Sequence, residues 1–128
     1  MERALSENDA DGAGSAKEIV TKLIIIPAKE GDKKIGLDNL NYVDIEQRSL
    51  CYHLKSGDIK ARCILRTSFL KATEPYVYND NLVFLKPSLL INVDNIDFLD
   101  KDHLIFTNGD ILYFPRTRYE EIYERWSK

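Results

Sequence analysis

The chain has 128 residues, a formal net charge of −3, and 44% hydrophobic and 30% charged residues. That length supports one domain with a buried core, and the balance is that of an ordinary soluble globular protein. The longest apolar run, residues 23–26, is far too short to span a bilayer, no basic-then-apolar leader opens the sequence, and the expected address is cytoplasmic.

Residues 1–18 set Arg3 and Lys17 against Glu2, Glu7, Asp9, Asp11 and Glu18, and have no apolar period. They read as a disordered tail or linker remnant, which leaves residues 19–128 as the domain. Without the tail, acidic and basic residues balance. A neutral domain binds nucleic acid only where its basic groups cluster on one face.

Residues 19–27 predict a strand, 28–34 a polar loop turning at Glu30-Gly31-Asp32, and 40–45 a second strand. Residues 50–55 and 58–65 predict a hairpin about Ser56-Gly57. Leu54 then faces Ile59, Tyr52 faces Ala61 and Leu50 faces Cys63, giving one apolar face that a one-residue slip would scramble. The other face carries Cys51, His53, Lys55, Lys60 and Arg62, a basic stripe for which a solvated strand face is the commoner meaning. Cys51 and Cys63 fall on opposite faces, so no disulfide is expected and Cys63 is placed in the core. Thr67 or Ser68 caps a short helix that Pro75 stops. Residues 76–81 form an aromatic, polar connection.

In the last third, apolar residues flank a Lys86-Pro87-Ser88 break, then run through 96–99 and 103–114. Asn108-Gly109 inside that last run is a strong hairpin signal, because a type I′ turn needs φ > 0 at both central residues. The pairing it predicts sets Phe106 opposite Ile111 and Leu104 opposite Tyr113. Ile105 opposite Leu112 and His103 opposite Phe114 then share the second face. Both faces are apolar, so the hairpin is expected to be covered on both sides, with His103 in the core. After Pro115, Thr117 and Glu120 read as a capping box, and Tyr119, Ile122, Tyr123 and Trp126 recur at helical spacing. The pattern is mainly β with a helix at the end.

No enzyme signature emerges. The two histidines and two cysteines lack zinc-finger spacing, and Asp-Gly-Ala-Gly-Ser lacks the lysine of a phosphate loop. Asp94, Asp97, Asp100 and Asp102 lack the glycine and closing glutamate of a calcium loop and read as edge charges. Neither catalysis nor a metal or other cofactor is expected.

Ser88, Ile91 and Asn92, the Asn108-Gly109 turn, and then Phe114, Arg116 and Tyr119 follow one another in an order that resembles the LytTR family of bacterial DNA-binding domains. The resemblance reaches back to about Lys22 through Ile25-Ile26-Pro27 and residues 40–46. It departs where the family's Arg falls on Phe84, its His on Lys86, and its Arg or Asn before the serine on Pro87. It implies a stack of short antiparallel β-sheets with two short helices, one C-terminal. It also implies a domain of a transcription regulator that inserts inter-strand loops into successive major grooves of double-stranded DNA. Two copies would act on direct repeats, as a homodimer or in tandem. The implied DNA-binding residues are Arg116, Arg118, Lys86, Ser88 and Arg48, with Arg116 reading guanine O6 and N7. Two arginines before a helix N-terminus oppose its dipole, which itself points to an anionic partner. The alternative is a LytTR-like protein-interaction module that modulates a partner regulator without reading DNA; the acidic balance and Pro87 favour it.

Overall fold

A computed structural model describes residues 22–76 and 81–128. The tail, the first residues of the expected opening strand and most of the 76–81 connection lie outside them. Ten strands and two α-helices are formed by these residues. In chain order they are β1 Leu23–Ala28, β2 Gly31–Gly36, β3 Leu40–Glu46, β4 Ser49–Leu54, β5 Gly57–Lys60, α1 Phe69–Thr73, β6 Leu82–Lys86, β7 Leu89–Asn92, β8 Ile96–Leu99, β9 His103–Phe106, β10 Ile111–Tyr113 and α2 Tyr119–Trp126.

The centre is a five-stranded antiparallel sheet in the order β5-β4-β3-β7-β6. Each of its faces is covered. On one, Leu40, Val43, Leu50, Tyr52, Leu54 and Leu90 pack under the β1–β2 hairpin and Phe69 of α1. On the other, Tyr42, Val83, Leu85 and Ile91 meet Leu104 and Phe106 of the three-stranded β10-β9-β8 sheet and Ile122 of α2. This double burial explains why all six residues of β4 are inaccessible, where a strand covered on one side alternates. A helix-capped stack of short antiparallel sheets is therefore what the chain forms.

The polar loop expected at 28–34 is shorter than predicted. Its second half is β2, paired with β1 from Ala28↔Gly31 to Leu23↔Gly36. The chain after β5 is tied to this hairpin by an Ala28↔Ala61 bridge and by Arg62, which donates to the Ala28 carbonyl and pairs with Asp32 at 3.0 Å.

Two hairpin registers differ from expectation. At β4–β5 the loop is Lys55-Ser56, pairing Leu54 with Gly57 and Tyr52 with Ile59. This is a two-residue slip, so the predicted faces survive, but the ladder ends at Lys60 and Cys63 lies beyond it. Cys63 is exposed and Cys51 is the buried thiol; both are free. At β9–β10 the loop has three residues. Gly109 adopts φ 97°, while Asn108 stays outside the left-handed region. Gly109 N donates to Phe106 O and Phe106 N to Asp110 O, both at 2.9 Å, the arrangement of a type I turn followed by a glycine bulge. The Asn108 side chain favours it by accepting from Asp110 N.

The pairing at β9–β10 is thus Leu104↔Leu112 and His103↔Tyr113, one residue from the prediction, and the faces change. Leu104 and Phe106 point into the core. Phe98, Ile111 and Tyr113 are exposed, and the His103 ring lies between Phe98 and Tyr113 at the surface. The hairpin is covered on one side only, and His103 is not a core residue.

The expected caps divide. Ser68 caps α1, accepting from Lys71 N at 3.1 Å. Thr117 caps nothing: residues 116–118 form a 3-10 turn, and α2 follows with no side-chain cap bond.

Candidate nucleic-acid interface

The candidate residues lie on three segments, around Arg48, at Lys86-Pro87-Ser88 and at Arg116-Thr117-Arg118, and the sheet brings the first two to one end. Because β3 and β7 run antiparallel with Val43 opposite Leu90, the β3–β4 turn at Gln47-Arg48 and the β6–β7 turn at Pro87-Ser88 leave the sheet on the same side. Arg48, Lys86, Pro87 and Ser88 are all exposed. Of the third segment, Pro115, Thr117 and Arg118 line a groove with Phe84, Lys86 and Pro87, and Arg116 does not. Arg116 is exposed at the start of the segment.

The β3–β4 turn has φ 52° at Gln47 and 69° at Arg48. Both are left-handed positions that residues with a Cβ occupy at a cost of about 1–3 kcal/mol. The turn is held from outside: Leu65 N donates to Arg48 O at 2.6 Å, and Lys60 Nζ donates to Gln47 Oε1.

Arg118, unlike the exposed Arg116, is held by hydrogen bonds within the domain. Its guanidinium donates to the Leu85 and Phe84 carbonyls at 2.8 and 2.6 Å, and to Glu121 through Nε and Nη2. The side chain clamps the start of α2 to the outer edge of β6, so the structure uses it to position the segment that carries Arg116. Near Arg116, Asp102 is held below the usual carboxylate range, first by its hydrogen bond with His103 and further by the charges of His103 and Arg116.

A second cluster lies on the β3–β4–β5 face, where the sequence predicted a solvated basic stripe. Cys51 and His53 are buried there, and carboxylates replace the expected cations. His53 Nε2 lies 2.9 Å from Asp44 Oδ1, and its Nδ1 3.0 Å from Asp58 Oδ1. Burial alone lowers the His53 pKa, but the hydrogen bond and charge of Asp44, then those of Asp58, outweigh it and the net shift is upward. Burial, together with Glu46, Asp44 and Asp58, pushes the Cys51 thiol up to about 11. The Tyr42 ring stacks on His53 at 4.1 Å and on Phe106 at 5.2 Å. Its hydroxyl donates to Asp110 at 3.1 Å, and burial, then Asp110, raises its pKa far above the ordinary value. Neither the Arg118 clamp nor this cluster was found from the sequence. The Tyr42-x-Asp44 and Cys51-x-His53 alternation was the available signal, since period-two spacing puts each pair on one face.

Asn92, buried at the end of β7, donates to the Leu40 carbonyl at 2.9 Å and accepts from Asp94 N. Asn95 donates to Asp38 O, Leu40 O and Asn41 Oδ1. The matched Asn92 is thus a structural residue locking two 3-10 turns together. Among the described residues no helix is long and apolar enough to cross a membrane.

No protein-family model and no curated protein matches the chain. Among solved structures, it is similar to a LytTr DNA-binding domain from Bacillus cereus, at 12% sequence identity and a TM-score of 0.62. The match covers 83% of this chain and 97% of that one. The chain therefore has the LytTR fold.

Proposed function

We propose that this is the sequence-specific, double-stranded DNA-binding domain of a bacterial transcription regulator, without catalytic activity of its own. The observation that carries the reading is the convergence of the β3–β4 and β6–β7 turns at one end of the sheet, with Pro115, Thr117 and Arg118 beside the second and Arg116 next to them in the chain. Each segment presents an exposed cation, Arg48, Lys86 or Arg116. Loops spaced along a sheet end suit successive grooves better than a single recognition element does. The fold shared with a DNA-binding domain supports the same direction.

In this reading Arg116 reads a base edge, with a planar guanidinium suited to guanine O6 and N7. Lys86, Ser88 and Arg48 hold phosphates, which supply much of the affinity. Arg118 fixes where Arg116 stands. Pro87 offers neither a side-chain donor nor an N–H, so the β6–β7 turn contributes charge and shape more than base reading. Two copies on direct repeats fit a single-domain reader, because one set of three loops covers few base pairs.

The exposed Phe98, Ile111 and Tyr113 favour a second reading, in which the outer face of the three-stranded sheet contacts a partner protein and the domain modulates it without reading DNA. Fluorescence anisotropy against promoter fragments of its own genome, across a salt series, separates the two. Selective binding to one fragment, with a steep negative salt slope, supports the regulator. No binding to any fragment at low salt removes it.

A further inference from the structure

We propose that Asp44, Cys51 and His53 form a site for a thiophilic divalent cation of the zinc class. The strands assemble it. Asp44 and Cys51 are direct partners across β3 and β4, and His53 follows Cys51 by two residues on the same face. Their donor atoms, one oxygen, one sulfur and one nitrogen, all lie within 4.8 Å of one another. A tetrahedral zinc ion with bonds of about 2.0–2.3 Å needs donors roughly 3.3–3.5 Å apart, so side-chain shifts on the order of 1 Å complete the set.

The donor chemistry selects the ion. Calcium and magnesium take oxygen ligands, whereas thiolate with imidazole favours zinc and its soft neighbours. The second shell is already in place. Asp58 sits 3.0 Å from His53 Nδ1, the carboxylate–histidine arrangement that fixes the tautomer and leaves Nε2 to the metal. Tyr42, stacked on the imidazole at 4.1 Å, holds the ring plane. Around the thiol stand Glu46, Asp44 and Asp58, opposed by Lys60, a field that resists a bare thiolate and welcomes a cation. Asp44 is 37% accessible at its side chain, which gives an entry path and leaves the fourth position to water. Binding displaces the Cys51 thiol proton and the proton shared between His53 Nε2 and Asp44. The site is independent of the DNA-binding reading.

The test uses the full chain carrying Cys63→Ser, in which Cys51 is the sole thiol. Cobalt(II) is added as the probe and displaced with zinc. One equivalent should produce a thiolate-to-cobalt charge-transfer band and tetrahedral visible absorption, both lost on adding zinc. Asp58→Asn should weaken binding 10–100-fold, as loss of an outer-shell carboxylate does. Cys51→Ser in the same background should abolish the band. No charge-transfer band in the Cys63→Ser chain, with its far-ultraviolet circular dichroism native, overturns the site. Undiminished affinity in a folded Asp44→Asn or Asp58→Asn variant does the same.

Discussion

The guanidinium of Arg118 meets the carbonyl oxygen of Leu85 at 2.8 Å, joining positions 33 residues apart. Together with the Phe84 carbonyl and Glu121, this fixes α2 against β6. Arg118→Ala should lower unfolding free energy by about 1.5–3 kcal/mol, the range for a hydrogen-bonded charged group, read by urea titration. Arg118→Lys should recover little, because an ammonium lacks the planar fork.

The exposed cations should separate by role. Arg116→Ala should weaken a specific site by about 1–3 kcal/mol and blunt discrimination at one base pair. Lys86→Ala and Arg48→Ala should weaken all sequences alike and reduce the salt slope by about one each. Anisotropy titrations at several salt concentrations read both quantities.

Trp126 anchors the last turn of α2, half-buried, with Nε1 donating to Ile96 O at 3.0 Å. Trp126→Phe should cost about 1 kcal/mol for the lost hydrogen bond. Ile122→Ala, at a fully buried position, should cost about 2–5 kcal/mol. A red, water-like emission maximum from the folded wild type would contradict the packing assigned to this sole tryptophan.

The thiols should react at different rates. Cys63 is exposed and Cys51 buried, so an alkylating reagent should label Cys63 in the native chain at once. Cys51 should wait for unfolding. Peptide mass mapping after a short pulse decides it, and prompt double labelling would contradict the burial.

What the sequence made legible follows the range of the forces involved. Ser68 was readable as a cap because its bond reaches only to Lys71, and the α2 stripe because helical spacing is local. Registers were less so. Asn108-Gly109 permits either a two-residue or a three-residue loop, and the choice rests on the Asn108 bond to Asp110 N and on Tyr42, whose hydroxyl donates to Asp110 from 68 residues away. The first of these is local, but nothing near position 108 encodes the second. The same holds for the candidate interface. Arg116 and Lys86 were named by resemblance, but that Arg118 turns inward depends on two carbonyls of β6. The carboxylates around His53 come from separate strands, so alternation alone made the face look basic.

Under the proposed DNA-binding function, the Gln47-Arg48 turn sets folding and binding in competition. Asn-Gly at these two positions suits paired left-handed backbone far better, so the Gln47→Asn, Arg48→Gly double variant should gain about 1–2 kcal/mol of stability. It should also bind DNA more weakly, having lost the cation at the tip. A rise in melting temperature with a fall in affinity would mark the turn as a place where selection has kept charge over conformational ease. Any stabilised derivative of the domain would have to leave that strain where it is.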